Sequence, residues 1–405
     1  MIAHFTKMAL KAFFRFKLHT SISLLSLVIG FMCFVSAVIL SNYSASFDRG
    51  FPNADRIYNI MIRSVGDSQM PDRFPIVNEP TARYLRTAFP EIPNIVKASS
   101  GFPQVVEYNQ ETVALDTKYV EDRFFDIFPL ETVYGLPTGD DLPPNSVMLT
   151  ETGARKIFGR TDVVGERILV ENRYDVVVAG VARTLDFPSH LESNIAFFRT
   201  EMYVPMALQE QFVREMREAE GMDPDADRWG NQSDFVYLEI PEDMAFDEAE
   251  FNERLDAFVQ NSLPEDRRDE QTFQLLPTNE LIATQMAFIT GGFSLPDILI
   301  VAGALVLLIG CLNYSNLVVA QLSLRSQEIG VQKILGSKRI LILLQYCYES
   351  LLFMLLALAI TMGILSYFLS VLGQSAVGIS PAMLFDPSLW MMLILVLAII
   401  VAIAG

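Results

Sequence analysis

Residues 43–290 carry 44 acidic and 22 basic side chains but one histidine, His190, and no cysteine. Carboxylates in such number could supply a general acid/base pair or a hard-metal site, and an imidazole could serve as a base. The spacing favours neither, because the zinc motifs need a second histidine or a nearby thiolate beside the first. The sequence has no glycine-rich loop ending in Lys-Ser or Lys-Thr, no serine in a nucleophile elbow and no dinucleotide fingerprint. The acids read as solubilising surface charge. No cofactor or metal is expected, and ATP hydrolysis is not expected of this chain itself.

Two other groupings have the residue types for recognition and packing. Residues 323–339 read Ser-Leu-Arg-Ser-Gln-Glu-Ile-Gly-Val-Gln-Lys-Ile-Leu-Gly-Ser-Lys-Arg. Wound as a helix, this stretch puts Leu324, Val331 and Leu335 on one side with Glu328 beside them, and Gly336 stands where a left-handed cap is wanted. Such a short amphipathic element either docks on a soluble partner by its apolar face or lies along a bilayer. The second grouping is Asn313, Ser315 and Asn316, polar residues in an otherwise apolar run, which are costly in lipid and are expected to face another helix or the interface at the end of the run. Gly303 and Gly310, seven residues apart, fall on one helix face and permit close approach of a neighbour. Glu349 is either an intramembrane charge or one that snorkels to the interface.

The elements that carry these residues follow from composition. The 405 residues are 51% apolar and 19% charged, with a net charge of −18 that argues against a nucleic-acid partner. Residues 43–290 hold a balance of −22, and the remainder holds +4. Residues 22–40, 298–324, 351–372 and 389–405 are nearly free of charge. Each of the first three is near the ~20 residues a helix needs to cross ~30 Å of hydrocarbon. The fourth, 17 residues from Leu389, reads as an incomplete span. A cleaved signal peptide fits poorly, because Ile39-Leu40-Ser41-Asn42-Tyr43 is a weak cleavage site, so the first run reads as a retained anchor. Lys7, Lys11, Arg15 and Lys17 precede the first span, and Arg325, Lys333, Lys338 and Arg339 follow the second, so both segments are expected in the cytoplasm and the acidic region outside.

The expected order is a basic amphipathic segment (1–20), a first span (21–42), the outer region (43–290), a second span (291–324), a cytoplasmic loop (325–343), a third span (344–372), a short outer loop (373–388) and a fourth, truncated span (389–405). The fold class is thus an α-helical transmembrane bundle plus a mixed α+β extracytoplasmic domain. Cys33, Cys311 and Cys347 lie in or beside spans, so the outer region is held by its own core, not by disulfides. Strands are predicted at 56–62, 94–99, 235–240 and 272–276, with helices over 81–89 and 245–261, giving β-α-β units at both ends of the region. The middle, about 113–230, reads as an inserted β-rich subdomain. It has a strand at 146–149, a helix over 151–158 capped by Thr150 and closed by Gly159, and a hairpin turning at Asn172-Arg173. Residues 210–227 read as an exposed acidic helix and loop.

At the cytoplasmic loop the residues become specific. Glu328-Ile329-Gly330-Val331-x-Lys333-Ile334-Leu335-Gly336-Ser337-x-Arg339, with Gln345 and Glu349-Ser350 after it, resembles the stretch that follows the second transmembrane helix in MacB/FtsX-type ABC transporter permeases. Phe14-x-x-Lys17, Gly30 and Asp48-Arg49-x-Phe51-x-Asn53-Ala54-Asp55-Arg56-Ile57-Tyr58 are similar to the start of the large permeases of that superfamily. The outer region agrees in Asn145-Ser146-Val147-Met148-Leu149-Thr150, Ile157-Phe158-Gly159, Val164-Gly165 and Ser189-His190. The resemblance covers nearly the whole chain and matches the N-terminal half of the larger members.

The resemblance implies that Glu328, Ile329, Gly330, Val331, Lys333, Leu335 and Gly336 form the coupling element against a separate or fused cytoplasmic ABC ATPase. Gln332 departs from a position often basic in relatives, which leaves detailed charge pairing with the ATPase open. It also implies a MacB-type periplasmic domain with porter-like β-α-β units, a location in the bacterial inner membrane, and a dimer or pseudo-dimer with a second permease unit. Membrane lipid and a periplasmic adaptor or substrate-carrying protein are the further partners it suggests. ATP-driven closure would then be transmitted to the outer domain, acting on a hydrophobic drug, peptide or lipoprotein. A transmembrane receptor with an extracytoplasmic ligand-binding domain is the alternative in another class, and a membrane-bound hydrolase a third.

Overall fold

The computed structural model describes residues 17–64, 74–136, 139–193, 198–289, 295–324, 334, 339–373 and 379–404. The chain forms two compact units, a helical one from Met1–Ser44 and Phe293–Gly405 and an α/β one from Ala45–Gly292. Helix α1 (Lys17–Ala45) is followed by β1 (Ile57–Ser64), β2 (Val77–Asn78), α2 (Thr81–Ala88), β3 (Asn94–Ser99), β4 (Phe102–Tyr108), β5 (Glu111–Val120) and α3 (Phe124–Ile127). Next come β6 (Thr132–Gly135), β7 (Ser146–Thr150), α4 (Glu151–Phe158), β8 (Arg167–Val170), β9 (Tyr174–Ala182), β10 (Met202–Pro205) and α5 (Met206–Ala219). The remaining elements are β11 (Gln232–Glu239), α6 (Glu248–Ser262), α7 (Glu265–Arg268), β12 (Gln271–Pro277), α8 (Leu281–Ile289), α9 (Leu295–Leu324), α10 (Arg339–Leu372) and α11 (Pro387–Ala404).

All the strands of the α/β unit belong to one sheet. At one end lie β3, β11, β1 and β12 in that order, every neighbour antiparallel. Because β11 separates β1 from β3 and β1 separates β11 from β12, α2 and α6 each connect parallel strands across an intervening one. The result is two interleaved β-α-β units. Alternation supplies the core: Ile60, Ile62, Val236, Leu238, Phe273 and Leu275 share one face. Helix α6 buries Phe251, Leu255, Phe258 and Val259 at helical spacing. It starts at Glu248 because the Asp247 carboxylate accepts the N–H groups of Ala249 and Glu250 at 2.8 and 3.3 Å.

The other end is a closed barrel. Strands β10, β7, β9, β8, β4 and β5 follow one another, and β5 pairs again with β10 in parallel, Thr117–Val120 against Met202–Pro205. The ring encloses Val106, Leu115, Val147, Leu149, Val178 and Val204. Asn109 (φ 50°) and Gln110 (φ 69°) make the two-residue β4–β5 turn, whose twist requires left-handed residues. The β8–β9 turn places its left-handed pair at Glu171 and Asn172, one residue earlier than Asn172-Arg173. Thr150 Oγ1 accepts the Gly153 N–H at 3.1 Å and Gly159 (φ 69°) ends α4, as their types predict. The barrel and the four-stranded lobe join through one registered pair, Ala98 with Val120.

In the helical unit, α1, α9 and α10 carry stretches long and apolar enough to cross a membrane: Thr20–Ala45, Pro296–Asn316 and Cys347–Leu372. The stretch in α11, Pro387–Ala398, is shorter. Leu27, Phe31 and Val35 of α1 are fully buried among Leu307, Met354, Ala357, Leu389 and Leu393.

Candidate functional site

Gly303 and Gly310 lie against α1. A Cβ at Gly303 would fall 2.9 Å from Phe34 Cα and 3.0 Å from the Cys33 carbonyl oxygen, and one at Gly310 would fall 2.9 Å from the Ser26 carbonyl oxygen. Gly30 answers from the other side, 2.8 Å from Leu307 Cα by the same measure. Residues 303, 307 and 310 thus meet 34, 30 and 26 in reverse order, so the two helices cross antiparallel with backbones in near contact. Gly30 is the reciprocal residue, and a lone glycine at the middle of the first apolar run is the only trace it leaves in the sequence.

Polar side chains fasten the same bundle. Asn313 Nδ2 donates to Ser26 Oγ at 3.2 Å, Tyr314 donates to Ser350 at 3.1 Å, and Thr361 Oγ1 donates to the Ala357 and Val28 carbonyls at 3.0 and 3.3 Å. Asn316 is exposed on α9, so Asn313 and Asn316 are not brought to one partner. At the other end of α1, Asn42 donates to Ser388 Oγ at 3.0 Å, and Ser388 donates to Asp386. Glu328, Ile329, Gly330, Val331, Lys333, Leu335 and Gly336 lie outside the described residues.

In the α/β unit a cleft opens between α2, α5 and the end of β3. Two of its hollows, about 280 and 150 Å³, share Glu79, Lys97, Glu210 and Arg228. Lys97 Nζ donates to Glu210 Oε1 at 2.9 Å, and its backbone N–H donates to Glu121 Oε2 at 2.8 Å. Arg83 pairs with Asp227, Arg86 with Glu121, and Arg228 with Glu79. Glu210, on the largely exposed α5, also lines this cleft. Burial alone would lower the Lys97 pKa, but Asp234, Glu210 and Glu121 outweigh it and raise it. Asp234 is 3% exposed and burial pushes it up to about 7, against the pull of Lys97. Among the described residues no group of His, Cys, Asp and Glu is placed to hold a metal.

Asp234 makes stability pH-dependent. Its folded pKa lies above the ordinary carboxylate value, so the fold holds the proton longer than the unfolded chain does. Stability is therefore fullest in acid and falls as pH rises toward 7, by up to about 1.4 kcal/mol per pH unit. Asp234→Asn should flatten this slope in denaturant titrations from pH 4 to 7, leaving Lys97 its bond to Glu210. An unchanged slope would assign the dependence elsewhere.

A second buried polar group sits where the sequence patterns of Asp48 and Ser189-His190 meet. Asp48 Oδ1 accepts the Ser189 hydroxyl at 2.6 Å and the His190 N–H at 3.1 Å. His190 Nδ1 stands 2.9 Å from the same oxygen without hydrogen-bond geometry. The other ring nitrogen, Nε2, is 3.0 Å from the Tyr237 hydroxyl. Phe51 meets Phe128 and Phe187 edge-on, with ring centres 5.1 and 4.9 Å apart.

Residues 20–252 match the model of the MacB-like periplasmic core domain, and residues 300–405 match that of the FtsX-like permease C-terminal region. Among solved structures, the chain is similar to a domain of a permease protein from Porphyromonas gingivalis, at 18% identity over 56% of this chain and 92% of that one, with a TM-score of 0.43. It is also similar to the periplasmic region of MacB from Actinobacillus actinomycetemcomitans, at 13% identity over 61% and 97%, with a TM-score of 0.39. The extracellular domain of the noncanonic ABC-type transporter YknZ from Gram-positive bacteria matches at 13% identity over 54% and 99%, with a TM-score of 0.33. No curated protein sequence matches the chain. The chain belongs to the MacB/FtsX-type permeases, which join a MacB-like periplasmic core domain to an FtsX-like membrane region.

Proposed function

We propose that this chain is the permease subunit of an ABC transporter in the bacterial inner membrane, and that it passes ATP-driven motion to its periplasmic domain to export or extract a hydrophobic drug, peptide or lipoprotein. A cytoplasmic ATPase subunit supplies the nucleotide chemistry, and a second permease unit completes a dimer or pseudo-dimer. A periplasmic adaptor or carrier receives the cargo. Four spans, with the N-terminus inside, give the arrangement this role needs.

The observation that carries the reading is the glycine-lined crossing of α1 and α9. These two helices flank the α/β unit in the chain, and their backbones come into near contact at Gly30, Gly303 and Gly310. Such a pair behaves as a stiff lever better than as the wall of a pore. The coupling element at Glu328 to Gly336 follows α9 directly in sequence.

The test is reconstitution of the chain with its ATPase in lipid nanodiscs. Gly330→Asp and Leu335→Asp should abolish the permease-stimulated ATPase rate while the chain stays folded. An ATPase rate unchanged by both, or impermeant labelling of Lys333 from the outside, would overturn the proposal.

A further inference from the structure

We infer that Asp48 is a latch: it fixes the chain leaving α1 to the loop at Pro188–His190 and, through His190 and Tyr237, to strand β11 in the middle of the sheet. The inference rests on the transmission role proposed above and assigns a positioning residue within it.

Asp48 comes three residues after Ala45, the last residue of α1, so only Ser46 and Phe47 separate the helix end from the latch. Phe47 is itself buried. At Asp48 the chain is held twice over. The backbone N–H donates to the Pro188 carbonyl at 2.8 Å, and the carboxylate takes the Ser189 hydroxyl and the His190 N–H. Asp48 holds a left-handed conformation (φ 59°), tolerated by few residue types and well by Asp or Asn. The residue is 2% exposed, and its second oxygen, Oδ2, has no hydrogen-bond partner among the described residues.

The other end of the latch is equally fixed. His190 is fully buried, and its Nε2 meets the hydroxyl of Tyr237, also fully buried. Tyr237 stands on β11 opposite Val96 of β3 and Asn59 of β1, so it belongs to both neighbouring ladders. Residues 46–56, between α1 and β1, are held further along by Phe51 on Phe128 and Phe187 and by Asn53 and Arg56 on Glu239 and Ile240, and the latch is the first hydrogen-bonded anchor to the sheet after the helix. With it, a displacement at the end of α1 is taken up within three residues.

The experiment uses the full chain, with Cys33, Cys311 and Cys347 replaced, in nanodiscs with its ATPase. A nitroxide at exposed Arg49 (R49C) reports the latch, and one at exposed Thr112 on the barrel (T112C) reports copy-to-copy displacement between nucleotide-free and nucleotide-trapped states. Asp48→Ala should raise label mobility at position 49 roughly threefold and cut the displacement at position 112 to roughly a third, with the ATPase rate kept within about twofold. Asp48→Asn keeps an acceptor oxygen and the left-handed backbone, so it should restore both, a rescue that a mere loss of stability would not produce. Full displacement in Asp48→Ala despite a mobile label would overturn the latch and leave the permease reading standing. Absence of displacement in the unmutated chain would overturn the transmission role and the latch with it.

Discussion

Leucine at position 303 should unfold or misassemble the helical unit. A side chain there must begin 2.9 Å from Phe34 Cα and 3.0 Å from the Cys33 carbonyl oxygen, and neither can move without moving α1. Overpacking of this kind costs about 3 kcal/mol when the obstacle is backbone, the upper end of the usual range. The α1–α9 crossing would have to open along its length, since Gly30 and Gly310 share the contact. Gly363→Ala is the matched control, because a Cβ at Gly363 has nothing within 4 Å and alanine favours a helix by up to about 1 kcal/mol. Thermal unfolding in detergent should show Gly303→Leu well below the unmutated chain and Gly363→Ala at or above it. Equal midpoints for the two variants would contradict close backbone packing.

Lys118→Met should make the protein more stable at neutral pH. Lys118 is fully buried, with Nζ 3.1 Å from the Ser99 carbonyl oxygen and 4.9 Å from the centre of the Phe235 ring, and burial pushes its pKa down to about 7. The unfolded lysine takes up its proton near the ordinary value, whereas the folded one does so only near 7. Stability is therefore whole above the ordinary lysine pKa and is lost as pH falls toward 7, at up to about 1.4 kcal/mol per pH unit. Methionine removes that loss but leaves the Ser99 carbonyl without its donor, worth about 1 kcal/mol. The net gain should be on the order of 2–3 kcal/mol at pH 7, shrinking to nothing by pH 10. Denaturant titrations of both proteins across that range check it, and parallel curves would refute it.

The same lysine shows where sequence reading stopped. Beside the alternating Leu115, Thr117 and Tyr119 of β5, period alone would place Lys118 on a solvent face, and the strand carries no local sign of its burial. That face is in fact covered by Phe235 of β11, a strand more than a hundred residues away. Local period reports which residues alternate but not what lies over the second face. The helix caps at Thr150, Gly159 and Asp247 depend only on near neighbours. Thr150 and Gly159 were legible from residue type, and Asp247 then accounts for the later start of α6. The β4–β5 hairpin was not, because Pro103 breaks a strand pattern and Asn109-Gln110 lacks the glycine that usually marks such a turn.

The functional groups divide along the same line. Gly303 and Gly310 could be set on one helix face from their spacing, but the opposing residues Gly30 and Ser26 required the fold. Asp48 and His190 are in separate motifs 142 positions apart, and Lys97 and Glu210 are separated by 113. Asp48 and His190 lie in the segments after α1 and β9, and Lys97 and Glu210 on β3 and α5, so both pairings are made by the fold and not by local sequence. Glu210 does lie on an exposed helix, but that its carboxylate also reaches across to Lys97 of β3 required the fold.

The barrel closure has a consequence for aggregation. A sheet of this size would normally end in bare strand edges that recruit other chains into aggregates. Here β5 closes back on β10, and on the far side the Leu275 N–H of the outermost strand is taken by the Asn252 side chain of α6 at 2.9 Å. Ring closure leaves the barrel strands without a free rim, so a region that has no cysteine for crosslinking offers neighbouring chains fewer edges to pair with.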